Sequence, residues 1–125
     1  MSPEAIEGEG VCTATDIWSL GCCIIELLTG EPPYWNMGPM GALYKITIEN
    51  HPPIPDFLSD KLTHFLNCCF QRNPENRFTA SQLLTHPWLS SESNPDSQLP
   101  ITVIRFLLQN PSQTFKFIFS ILPNL

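Results

Sequence analysis

Residues 16–30, DIWSLGCCIIELLTG, form the longest apolar stretch in the first part of the chain. Drawn as a helix, this stretch carries apolar side chains on every face, and Glu26 is its only charge after Asp16. A helix of this kind is either a membrane span or a strut buried inside a larger domain. Polar side chains interrupt it before the roughly 20 apolar residues that a membrane span needs. The pattern therefore predicts a buried central helix, with Asp16 as its N-cap and Gly30 just after its end.

Further helices are predicted by apolar residues at helical spacing. Residues 40–49 form one short helix, and Thr79 with Gln82 forms a capping box that opens another. Ser59 is the expected N-cap of a helix between them, whose inner face carries Leu62, Phe65, Leu66, Cys69 and Phe70. Residues 51–57, HPPIPDF, are predicted to be extended because proline disfavours the helical region for the residue before it. Residues 1–89 are therefore expected to be mainly α-helical.

The composition changes after Leu89. Residues 90–98, SSESNPDSQ, have the content of a linker, and residues 99–125 form a strongly apolar tail. Residues 115–122 alternate weakly and resemble an aggregation-prone strand. A peripheral membrane anchor within residues 101–122 is disfavoured, because Arg105 and Lys116 are the only basic residues there.

Charge and cysteine content narrow the class of protein. The chain has 12 acidic and 6 basic residues, a balance that argues against nucleic-acid binding. Four of the five cysteines form two adjacent pairs inside predicted helices, without the C-x-x-C spacing of zinc or redox sites. We interpret them as buried reduced thiols, which fits the cytoplasm, with the nucleus as an alternative.

The residues taken alone predict no active site. His51, His64 and His86 are scattered, and no serine or cysteine lies in a nucleophile motif. There is no glycine-rich phosphate loop and no cluster of residues with metal-ligand spacing. We therefore expect no catalytic, cofactor-binding or metal-binding residue in this chain.

Three short motifs change this interpretation by their order. SPE at residues 2–4 resembles the A-P-E that closes the activation segment of protein kinases. DIWSLG at 16–21 resembles the start of the buried central helix of the kinase large lobe, and NPENR at 73–77 resembles the end of that lobe. Residues 1–89 thus resemble the rear part of a kinase large lobe. The stretches GVCTATDIWSLGCCIIELLTGEPPYW and NHPPIPDFLSDKLTHFLNCCF are similar to mitogen-activated kinase kinase kinases of the plant epsilon type and their fungal septation relatives.

The resemblance assigns structural roles to the first motif and the last. Ser2, Pro3 and Glu4 would close the activation segment, and Glu4 would form a buried ion pair with Arg77. Without the family, each of these two charges would be interpreted as a solvated surface group. The pair would tie the activation segment to the end of the lobe.

The resemblance also assigns roles in and after the central helix. Asp16 would accept hydrogen bonds from the backbone of the catalytic loop, Trp18 would pack against the activation segment, and Gly21 would allow close backbone approach. The helix over residues 40–49 would be a docking surface for protein partners or an ordinary surface helix. Its candidate docking residues are Met40, Leu43, Tyr44 and Ile46.

The family reaction is ATP-dependent, Mg²⁺-assisted phosphorylation of serine or threonine on downstream protein kinases. Its glycine-rich loop, ATP-contacting lysine, H-R-D loop and D-F-G motif would all precede residue 1. We therefore expect a truncated, inactive kinase that binds neither ATP nor Mg²⁺, with protein partners from a kinase cascade. The alternative is a non-catalytic interaction module that competes for such partners. Because the family neighbours of the central helix lie on the missing part, the fragment alone is expected to expose a large apolar patch.

Overall fold

The structure is a computed structural model that describes residues 2–6, 13–31, 33–90 and 101–109. Within these ranges it contains helices and connecting turns and no strand, so the mainly α-helical prediction is confirmed. A 3₁₀ turn, Trp35–Met37, precedes the third helix. The α-helices are α1 Pro3–Ile6, α2 Thr13–Thr29, α3 Gly38–Ile48, α4 Asp60–Cys69, α5 Ala80–Leu84, α6 Pro87–Ser90 and α7 Ile101–Gln109.

Helix α2 is the predicted central helix, but it begins at Thr13 rather than at Asp16. The prediction of Asp16 as the N-cap is wrong, because Asp16 lies within the first turn. A carboxylate at that position still interacts favourably with the helix dipole. The preceding Thr-Ala-Thr contains no helix breaker, so the helical spacing extends back through it. The predicted C-terminal end is confirmed. Gly30 has φ +80° and donates its backbone N–H to the Glu26 carbonyl at 2.7 Å.

The apolar side chains of α2 are mostly covered. Among the apolar residues of this helix, only Leu27 is substantially exposed, at 42%, so the helix itself does not form the large apolar patch expected of the fragment. Helix α4 packs directly against α2, and the hydrophobic core that contains both also includes side chains of α5, α6 and α7. The buried part of this core comprises Ile17, Trp18, Leu20, Ile24, Ile25, Leu62, Phe65, Leu66, Cys68, Cys69, Phe70, Leu83, Trp88, Leu89, Ile104, Leu107 and Leu108.

Side-chain caps fix where α4 and α5 begin. The Ser59 hydroxyl accepts the Leu62 N–H at 3.2 Å, as the sequence predicted. The predicted capping box is also present, since the Thr79 hydroxyl accepts the Gln82 N–H at 3.2 Å and the Thr79 N–H donates to the Gln82 side chain at 2.8 Å. These caps satisfy N–H groups that have no partner inside the helix.

Helix α7 is an element that the sequence did not predict. Its Ile104, Leu107 and Leu108 are buried, and the helix packs against α5. Arg105 on the same helix donates to the Leu89 carbonyl at the end of α6. None of the described helices has the length and hydropathy to cross a membrane. The predicted strand at 115–122 and nearly all of the predicted linker lie outside the described residues.

Candidate functional site

The most highly connected polar site in the described structure is the ion pair between Glu4 and Arg77. Arg77 Nη1 lies 2.8 Å from Glu4 Oε2, and Nη2 lies 2.9 Å from Oε1, so the pair is bidentate. Both residues are buried. The resemblance predicted this ion pair, and the structure contains it.

Neighbouring groups satisfy the rest of this site. Arg77 also donates from Nη1 to the Ala14 carbonyl at 2.6 Å and from Nε to the Gln71 carbonyl at 3.0 Å. The Thr15 hydroxyl donates to Glu4 Oε2 at 3.2 Å. One guanidinium therefore joins α1, the first turn of α2 and the loop after α4. A buried ion pair holds only when its remaining donors and acceptors are paired in this way.

The electrostatics of Glu4 follow from this geometry. Burial alone would raise the pKa of its carboxyl group. The hydrogen bonds and the charge of Arg77 outweigh burial and bring the pKa of Glu4 down to about 2. Glu4 is therefore ionised throughout the physiological range.

Trp18, Gly21 and Phe70 pack beside the ion pair. The Arg77 guanidinium lies 5.0 Å from the centre of a Trp18 ring, and Phe70 meets Trp18 edge-on with ring centres 5.1 Å apart. A Cβ atom added at Gly21 would lie 2.7 Å from Phe70 Cε1 and Cζ. Gly21 therefore provides the close approach between α2 and the end of α4. The role of Asp16 toward a catalytic loop stays a prediction; its carboxyl group is half-buried, and burial raises its pKa.

The four candidate docking residues of α3 do not share one environment. Met40 and Tyr44 are 78% and 64% exposed, whereas Leu43 and Ile46 are half-buried. The C-terminal end of α3 is held by Arg72, which donates to the carbonyls of Ile46, Thr47 and Glu49. The outward face of α3 is thus presented by a helix anchored at its end.

A second polar cluster was missed by the sequence interpretation. His64, interpreted there as one of three scattered histidines, lies on α4 with its Nδ1 2.7 Å from Nε2 of His86 and 3.7 Å from Cys68 Sγ. The donor atoms of these three residues lie within 4.8 Å of one another, an arrangement that spacing along the sequence did not predict. The available signal was the i, i+4 spacing of His64 and Cys68, which places both on one helix face. His86 follows 22 residues later, and only the fold brings it there.

Comparison with known proteins agrees with the motifs. The family described as "Protein kinase domain" matches residues 1–89. The chain therefore belongs to the protein kinase domain family.

Individual relatives narrow the kind of kinase. The chain is 51% identical over 100 residues, 80% of its length, to the cytokinesis protein sepH of Aspergillus terreus. It is 55% identical over 89 residues, 71% of its length, to MAP3K epsilon protein kinase 2 of Arabidopsis thaliana. Over the same share of its length it is 47% identical to cell division control protein 7 of Schizosaccharomyces pombe. The predicted resemblance to these kinases is thus confirmed. The chain spans only 8%, 6% and 8% of the three relatives' lengths.

Proposed function

We propose that residues 1–89 form the rear part of the large lobe of a serine/threonine kinase of the mitogen-activated kinase kinase kinase type. In this role they anchor the end of the activation segment and do not contact ATP. The carrying observation is the buried Glu4–Arg77 ion pair, which joins two motifs 73 residues apart. The whole protein would phosphorylate serine or threonine on downstream kinases in the cytoplasm.

The 125 residues by themselves are proposed to be inactive. Phosphoryl transfer depends on Mg²⁺ and on groups that position the phosphates, and the chain contains none of the motifs that supply them. Mg²⁺ prefers oxygen ligands. The group of three potential ligands that converges within the described residues offers nitrogen and sulfur, so it does not fit Mg²⁺. No step of phosphoryl transfer is therefore assigned to residues of this chain.

The inactivity is tested with the purified chain. We expect no phosphate incorporation into a generic protein substrate and no rise in melting temperature on adding ATP and Mg²⁺. An ATP-dependent rise in melting temperature that requires Mg²⁺ would contradict the proposal.

The anchoring role is tested by exchanging a segment of a related kinase for residues 1–89. Residues 1–89 replace the matching segment of the Arabidopsis MAP3K epsilon protein kinase 2, and phosphorylation by the chimaera is measured. We expect an active chimaera that loses most of its activity on Arg77→Ala and keeps it on Lys45→Ala, since the Lys45–Glu49 pair is partly exposed. An inactive but folded chimaera would overturn the anchoring role.

Exposed residues on α3 favour docking of a protein substrate as a second function. Met40 and Tyr44 project into solvent from a helix whose C-terminal end Arg72 holds. In the chimaera, Met40→Glu with Tyr44→Glu should raise the KM for a protein substrate several-fold and leave the KM for a short peptide unchanged. Equal effects on both substrates would exclude docking through α3.

A further inference from the structure

The cluster formed by His64, Cys68 and His86 lies away from the Glu4–Arg77 pair, where α4 meets the start of α6. His64 and Cys68 are one helical turn apart on α4, and His86 directly precedes Pro87, the first residue of α6. His64 is exposed, while Cys68 and His86 are buried. The cluster therefore has one side open to water and two donor atoms inside the protein.

We propose that His64, Cys68 and His86 bind one zinc ion through Nδ1, Sγ and Nε2, with water as the fourth ligand. Imidazole nitrogen and thiolate sulfur are the donors that zinc takes in proteins, and a site with three protein ligands keeps one position for water. Zinc binding at this site does not depend on the proposed kinase function, and the kinase function does not depend on zinc.

One of the three distances between donor atoms already matches a tetrahedral site, and all three are within 4.8 Å. Zinc–nitrogen and zinc–sulfur bonds of roughly 2.0–2.3 Å place tetrahedral ligand atoms roughly 3.3–3.6 Å apart. The Cys68–His64 distance of 3.7 Å already fits. The His64–His86 distance of 2.7 Å must widen. The exposed ring of His64 can supply this movement.

The surroundings of His86 hold its ring in place. Phe65 meets the ring edge-on at 5.2 Å between ring centres. Groups around a ligand that fix its orientation favour metal binding.

Zinc binding requires two proton movements. In the metal-free protein His86 Nδ1 accepts from Trp88, so its proton lies on Nε2 and is donated to His64 Nδ1. Zinc at Nε2 moves this proton to Nδ1 and displaces the Trp88 hydrogen bond. The Cys68 thiol proton passes to solvent as the zinc–sulfur bond forms. Zinc affinity is therefore lower than at a site whose histidine already carries its proton on the nitrogen that does not bind the metal.

The test uses the purified 125-residue chain under reducing conditions. Zinc binding is measured by competition with a chromogenic chelator, and Co²⁺ replaces zinc to report a thiolate-to-cobalt absorption band. We expect one equivalent of zinc and a thiolate band. His64→Gln and Cys68→Ser should each weaken binding by roughly tenfold or more, because loss of an outer partner alone costs roughly 10–100-fold. Cys68→Ser should also abolish the band.

Two matched controls keep the result specific. His51→Gln removes a histidine outside the cluster, and Cys22→Ser removes a half-buried cysteine of α2. Both should bind zinc as the unmodified chain does. The exposed His64 can be replaced without disturbing the core, so a folding defect cannot mask its result. Absence of zinc binding, or unchanged affinity in His64→Gln, would overturn the proposal.

Discussion

At the scale of single residues, Gly21 is the glycine of the described structure with the least room for a side chain. A Cβ atom there would lie 2.7 Å from the Phe70 ring and 3.1 Å from Cys69 Cβ. Phe70 is buried against Trp18, so its ring cannot move aside freely. Gly21→Ala should therefore lower the free energy of unfolding by about 1–3 kcal/mol, as overpacked core positions do. Urea unfolding of the two chains measures this difference.

The control is the same substitution at Gly41. Gly41 also lies inside a helix, but its added Cβ would meet only the Met37 side chain, which is exposed. Because alanine favours a helix over glycine by about 1 kcal/mol, Gly41→Ala should be neutral or stabilising. Destabilisation at both positions would show that the Phe70 contact is not the cause at Gly21.

Arg77 is the second critical residue. Arg77→Ala leaves the Glu4 carboxylate buried without its partner, and breaking a buried pair costs about 3–5 kcal/mol. Lys45→Ala breaks the partly exposed pair with Glu49, whose charges lie 3.3 Å apart, and should cost at most about 1 kcal/mol. Chemical denaturation of both variants compares the two losses. Equal losses would mean that burial of the Glu4–Arg77 pair adds no stability.

These residues also show what sequence can reveal. No periodicity relates Glu4 to Arg77, because they lie 73 residues apart; only the family resemblance pointed to their pairing. The resemblance gave no indication of the contact between His64 and His86. That contact depends on how α4 and the residue before α6 meet, which local pattern does not encode.

At the scale of elements, the capping box of α5 controls a short helix on which α7 packs. Thr79→Ala removes the hydroxyl that accepts the Gln82 N–H and should lower the free energy of unfolding by about 1 kcal/mol. Ser81→Ala is the matched control, since Ser81 is exposed on the same helix. Thermal unfolding followed by circular dichroism measures both. A loss at Ser81 as large as that at Thr79 would contradict the capping argument.

Elements were predictable where their signals are local. Ser59, Thr79 and Gly30 mark helix ends through their own hydrogen bonds or backbone angles, so sequence located those ends. The start of α2 was placed too late because Asp16 has the features of a cap but lies one turn inside. Helix α7 was missed because a short apolar run fits a strand or a buried helix equally well, and its contact with α5 decides between them.

At the scale of the whole molecule, the neighbours of α2 could not be inferred from its own sequence. A helix with apolar side chains on every face must be packed against other elements on every side. The family resemblance implied that these neighbouring elements lie outside this chain. The core instead extends from α2 through α4, α5 and α6 to Ile104, Leu107 and Leu108 of α7. The tail that looked unrelated to the kinase motifs thus contributes to the same core.

Acid stability tests how this assembly depends on Glu4. The pKa of Glu4 is about 2 in the folded protein and near 4.5 in the unfolded chain, so the folded state favours the ionised form. This difference corresponds to about 3 kcal/mol of stability at pH 7, which is lost as the pH falls from about 4.5 to 2. Other groups titrate in the same range, so the informative quantity is the difference in free energy of unfolding between the unmodified chain and Glu4→Gln. Urea unfolding at pH 7 and pH 3 should show this difference falling by about half, because at pH 3 the unfolded chain already binds the proton that the folded protein excludes. A difference that stays constant between these pH values would mean that the shape of the Glu4 side chain, and not its charge, holds α1 against Arg77.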